Sequence, residues 1–147
     1  MKLINFNFTK LSSERLKDTA PEIKFNTKID ILSISSVKSD FLKIKEELVQ
    51  IDFVYNILYE PGLAKIEIGG TMILSIEPKI AREVLRGWKE KETPEEFRLF
   101  MFNIILRKSS LKALQIEEDL NLPPHLPFPS FSKGNLAKKE DKEKTDN

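Results

Sequence analysis

Apolar and polar residues alternate through the first half of the chain. Ile4, Phe6 and Phe8 are interleaved with Asn5, Asn7 and Thr9, the period of two that turns one face of a strand to a core and the other to water. Past Pro21, the residues Ile23, Phe25, Ile29 and Ile31 fall on one side, with Lys24, Asn26, Lys28 and Asp30 on the other. A second half-buried strand is expected there. Between Ser33 and Leu48, Phe41, Ile44 and Leu48 have helical spacing and Asp40 stands where a cap would. The apolar set is too sparse for a stable helix, so this segment reads as a long connection with a turn of helix. From Val49 to Tyr59 one face carries Val49, Ile51, Phe53, Tyr55, Ile57 and Tyr59, while Val54 and Leu58 join Asp52 and Asn56 on the other. Partial apolarity on both faces marks a central strand. Pro61-Gly62 supplies a turn with glycine at the position of positive φ. The strand from Ala64 to Ile76 follows, and Gly69-Gly70 within it predicts a bulge or a close backbone approach.

At Pro78 the period changes. Proline suits a first helical turn, and Ile80, Val84, Leu85 and Trp88 recur along one stripe, with Gly87 weakening the end. A second helix is predicted with Thr93 as N-cap, Pro94 at the first helical position and Glu96 closing a capping box. Phe97, Phe100, Met101, Ile104 and Ile105 give it a wide apolar face. Ser109-Ser110 marks either a break or the interior of one long helix. Beyond it, Asn121 to Phe131 threads four prolines between Leu122, Leu126, Phe128 and Phe131. Proline has no amide donor, so this strap must run extended over folded structure. Leu122, Leu126 and Phe128 are expected to seal the helix–sheet seam. Residues 132–147 are nearly all polar and are expected to be a disordered tail.

The fold class that follows is α+β: a four-stranded, meander-like antiparallel sheet, then two helices on one face and the strap, within one domain spanning residues 1–131. If helices cover one face while both faces of the central strands are partly apolar, the remainder must meet a second copy or an apolar ligand.

Composition narrows the function. With 24 Lys+Arg against 23 Asp+Glu in 147 residues, no global field points to nucleic acid or an anionic membrane. Arg82, Arg86, Lys89 and Lys91 form a modest cluster that is expected to solvate the first helix. Cysteine is absent, which excludes disulfides and thiolate zinc sites and suits a reducing compartment. No apolar run has the length of a signal peptide or a membrane span, so a cytoplasmic location is expected. His125, the one histidine, has no second histidine or cysteine to complete a metal site, and is expected at the surface. The adjacent pairs Glu46-Glu47, Glu95-Glu96 and Glu117-Glu118 would diverge on a helix. Gly69-Gly70 lacks the spacing and the lysine of a phosphate loop. No enzymatic activity and no cofactor are expected.

The element order, the Gly-containing fourth strand ending in GGTMILSI and the strap LNLPPHLPFPSF resemble the SecB family of export chaperones and its antitoxin-guarding relatives, over Ile4 to Phe131. The resemblance implies an ATP-independent holdase that grips unfolded polypeptides in apolar grooves and assembles as a homo-oligomer, a dimer of dimers. The chain departs from the family in lacking a Pro-aromatic pair in FRLFMFNIILRK. It is also charge-balanced where the family is acidic, which puts in doubt docking on a SecA-like motor, a contact that in the family relies on a carboxylate-rich sheet surface.

A holdase needs aromatic and apolar side chains in shallow grooves, because aromatics give large contact area at small entropic cost. The candidate client-binding residues are Phe25, Phe41, Tyr55, Tyr59, Trp88, Phe128 and Phe131. Against this stands burial in the core, which is the expectation for Phe25, Phe53, Phe97, Phe100 and Phe102 and for most of the strap. The alternative function is an adaptor that binds one dedicated protein through the exposed sheet face.

Overall fold

The computed structural model describes residues 1–19, 21–38 and 45–134. Phe41, with most of the connection around it, and the tail from residue 135 lie outside the described residues. Four strands come first: β1 (Lys2–Arg15), β2 (Lys24–Val37), β3 (Glu47–Glu60) and β4 (Ala64–Ile76). Two helices follow, α1 (Pro78–Gly87) and α2 (Glu95–Asp119), joined through a single 3-10 turn at Trp88–Glu90.

All strand pairs are antiparallel, but the spatial order is β1-β4-β3-β2. Only β2, β3 and β4 form a meander. β1 joins the far side of β4, which makes the sheet a Greek key rather than the simple meander expected. The order follows from burial. β3 and β4 carry the longest apolar faces and take the centre, while the more polar β1 and β2 become edges.

The helix-covered face holds two clusters. In the first, Val49, Ile51, Phe53, Met72, Leu74 and Ile76 pack under Ala81, Val84, Phe97, Met101 and Ile105. In the second, Tyr55, Ile57, Tyr59, Ala64, Ile66 and Ile68 lie with Ala113 and Leu122. The helix contacts in α2 fall at every fourth residue, Phe97, Met101, Ile105, Ser109, Ala113 and Glu117, all buried. This is an i±4 ridge, which drifts around the helix as it advances and lets α2 cross both clusters. Ser109 and Ser110 sit buried inside one continuous helix and do not break it.

The opposite face of the two central strands is mixed. Gln50, Asp52, Asn56, Lys65, Glu67 and Thr71 share it with Val54, Leu58 and Ile73. The exposed apolar side chains include Leu58 on this face, Ile4, Leu11 and Leu32 of the edge strands, Leu99, Leu106 and Leu111 of α2, and Leu126, Phe128 and Phe131 of the strap.

Gly70 works by close approach. A Cβ there would lie 2.5 Å from Cζ of Phe53, its partner across the strands, and 2.9 Å from the Asn7 carbonyl oxygen. The bulge expected at the glycine pair lies on the facing strand, where the register of β1 shifts between Phe8 and Lys10. The second helix starts later than its capping signature predicts. Pro94 is extended (φ −56°, ψ 137°) and serves as N-cap without a side-chain cap bond; its carbonyl accepts from Arg98 N–H at 3.1 Å. Thr93 is therefore one residue too early to cap.

Candidate functional site

A groove of about 390 Å³ opens where edge strand β2 meets the α1–α2 corner. Ile29, Ile31 and Ile34 of β2 form one wall, and Phe97, Met101 and Phe102 of α2 the other. Trp88, just past α1, completes the lining with Thr93, Asp30 and the solvent-exposed Lys89, Lys91 and Arg98. The groove exists because β2 has no strand beyond it. The sheet ends there, and the overlying helices leave a seam lined by apolar side chains.

The corner that holds Trp88 is tightly built. Lys91 N–H donates to the Trp88 carbonyl at 3.1 Å and Glu92 N–H to the Gly87 carbonyl at 2.9 Å. A Cβ on Gly87 would lie 2.1 Å from the Glu92 carbonyl oxygen, so only glycine lets the turn close this far. Lys91 takes left-handed φ 60°, ψ 25°. Lys89 Nζ lies 5.9 Å from the Trp88 ring centroid, a cation–π contact. Lys89 and Lys91 thus belong to the groove lining, where the sequence had them solvating the first helix.

At the other end of α2 the strap leaves through a helix terminus that the sequence reading missed. Leu122 N–H donates to the Glu117 carbonyl at 2.8 Å and Asn121 N–H to the Glu118 carbonyl at 3.3 Å, with Asn121 at φ 51°. This is a Schellman terminus with asparagine in the left-handed position, and Asn121 followed by Pro123-Pro124 was its available signal. Arg15 at the end of β1 donates to the carbonyls of Leu120 and Asn121, each at 3.0 Å, and ties the turn to the sheet.

His125 is not a surface group. Its side chain and that of Glu117 are each 2% exposed. The Glu117 carboxylate accepts from the His125 backbone N–H at 2.6 Å and from Nδ1, while Nε2 lies 3.3 Å from the Tyr55 hydroxyl. In the tautomer with the proton on Nδ1, that nitrogen donates to Glu117 and Nε2 accepts from the Tyr55 hydroxyl. Burial first, and the Glu117 charge after it, hold the Tyr55 hydroxyl above the ordinary tyrosine range. Burial likewise pushes Tyr59 up, with Glu117 adding to it.

These positions sort the candidate binding residues. Trp88 lines the groove. Tyr55 and Tyr59, each 1% exposed, lie in the second cluster beneath α2 and the strap, so neither can meet a client in this conformation. Their odd-numbered face is the one the helices cover. Phe25 is 36% exposed at the β2 edge and meets Tyr59 edge to face, 5.1 Å between centroids. Phe128 and Phe131 are exposed, and Phe128 lines a shallower depression with Leu114, Leu122 and Pro124, edged by Glu118 and Asp119. Of the strap residues expected to seal the seam, only Leu122 is buried; Leu126 and Phe128 are not. Phe53 and Phe97 are core, and Phe100 and Phe102 are partly buried against it. Among the described residues no helix is long and apolar enough to cross a membrane, and no three His, Asp or Glu side chains group as a metal site.

No protein-family model matches the sequence, and no curated protein does. A solved structure does match in fold: the Mycobacterium tuberculosis Rv1957 SecB-like chaperone in complex with a ChAD peptide from the Rv1956 HigA1 antitoxin. The likeness covers 90% of this chain and 91% of that one, at 11% identity and a TM-score of 0.50. The chain is similar to that chaperone in fold.

Proposed function

We propose that this protein is an ATP-independent holdase that captures extended segments of nonnative polypeptides and performs no chemistry on them. The observation that carries the reading is the groove of about 390 Å³ at the β2 edge, lined by Ile29, Ile31, Trp88, Met101 and Phe102 with cationic side chains beside them. A shape of this kind admits an extended chain and refuses a folded surface, and its isoleucine, methionine and aromatic lining tolerates many sequences. The fold likeness to a SecB-like chaperone bound to a peptide supports the same reading. Phe128 and Phe131 of the strap, and Phe25 at the sheet edge, extend the client surface beyond the groove. Leu99 and Leu106, seven residues apart on the outer side of α2, are the surface that a further copy would cover in a homo-oligomer.

A second reading is an adaptor for one dedicated protein, favoured by the single peptide held by the structural neighbour. Aggregation assays separate the two. A holdase suppresses light scattering from several unrelated denatured proteins at near-stoichiometric amounts, without ATP. Protection of none of them would remove the holdase reading.

A further inference from the structure

The loop sequence Trp88-Lys89-Glu90-Lys91-Glu92 alternates charge, and the fold sorts it. Lys89 and Lys91 line the groove together with Arg98 of α2. Glu90 and Glu92 line a separate depression with Glu83 and Arg86. The left-handed turn at Lys91 and the Glu92 N–H bond to Gly87 fold the segment back on itself. Among the described residues no carboxylate lies within ion-pair distance of Lys89, Lys91 or Arg98. Asp30 is the one carboxylate in the lining, and Lys28 Nζ holds it at 3.4 Å. Among the described residues, three cations without an ion-pair partner therefore stand around one apolar slot.

We propose that the groove selects polypeptide segments in which an apolar or aromatic anchor is flanked by Asp or Glu, an inference that rests on the polypeptide-binding function proposed above. The anchor fills the floor, and its flanking carboxylates meet the three cations beside it. Contacts this exposed each change affinity by roughly twofold, and three of them multiply to about tenfold between acidic and basic flanks. Such pairs set preference and encounter rate, while the apolar floor holds the segment. Three cations on a chain of net charge +1 do not make the basic groove that tracks a nucleic-acid backbone, which disfavours a nucleic acid.

The test is fluorescence anisotropy on the full chain with three labelled peptides that share one apolar core and carry Glu, Ser or Lys flanks. The expected order is Glu over Ser over Lys, about tenfold between the extremes and collapsing in 0.5 M salt, on the order of a Debye length of a few ångströms. A Lys89→Glu, Lys91→Glu double variant, and Arg98→Glu separately, should reduce or reverse the order. Equal affinity for all three peptides overturns charge selection and leaves the groove function standing. Binding of none of them overturns both. Tightest binding of the Lys-flanked peptide, a preference unchanged in the variants, or displacement of the Glu-flanked peptide by an oligothymidylate overturns the proposal.

Discussion

Glu117 and His125, on either side of the turn that ends α2, are paired in the interior, with both side chains 2% exposed. One carboxylate takes two donors from the same strap residue, its backbone N–H and its ring. This fixes where the proline segment lies before its exposed part begins. Removing Glu117 leaves two buried donors of His125, the backbone N–H and the ring, unsatisfied, at about 1–3 kcal/mol each. Urea unfolding of Glu117→Ala should show a loss of that size. Combining Glu117→Leu with His125→Leu should recover only part of it, because the ring donor is gone while the backbone N–H of residue 125 still lacks its acceptor. A loss below about 1 kcal/mol in the single variant would mean that the strap is held elsewhere.

The chain's two tyrosines, Tyr55 and Tyr59, are both buried, and both phenols are shifted upward from the ordinary value of 10.0. For a group whose folded pKa is raised, the unfolded chain releases its proton first as pH increases. Stability is therefore undiminished below about pH 10 and falls above it. Tyrosinate absorbance should rise in one step that coincides with loss of circular dichroism, with Tyr55→Phe reducing its amplitude by half. Ionisation centred near pH 10 in protein that stays folded would contradict the burial of these rings.

Within the strap, burial and exposure divide sharply between Leu122, 6% exposed, and Phe128, 62% exposed. Leu122→Ala should cost about 2–5 kcal/mol of stability, the range for truncating a buried leucine. Phe128→Ser should stay within about 0.5 kcal/mol of the parent and weaken client capture. Thermal melts beside binding to a permanently unfolded polypeptide check both.

Much of the fold was legible because burial leaves a period. β3 and β4 are central, so Val49 to Tyr59 and Ala64 to Ile76 alternate over their full length. The edge strands were legible only in part. β1 continues through Ser12, Ser13 and Glu14 by backbone pairing with β4, which hydropathy does not register. Strand order was not legible, since pairing of β1 with β4 spans some sixty residues of intervening sequence. α2 hid its continuity because its buried ridge includes Ser109, Ser110 and Glu117, polar residues that imitate a break or a solvated face. Trp88 was visible as an aromatic at the end of the first helix, where core-edge packing was the stronger expectation, and it lines the groove. The placement of Lys89 and Lys91 in the same lining was not legible, because it depends on the left-handed turn at Lys91. His125 looked solitary because its partner lies eight residues earlier, on the last turn of α2, and only the Schellman terminus brings the two together.

Trp88 is the chain's one tryptophan, and it lines the groove, so its emission reports on the site with no added label. Titration with a tryptophan-free, permanently unfolded polypeptide should give a saturable blue shift as the indole loses water, and a folded protein of similar size should give none. Unchanged Trp88 emission at polypeptide concentrations that saturate binding by mass would contradict the account, since the client would then be held away from the groove.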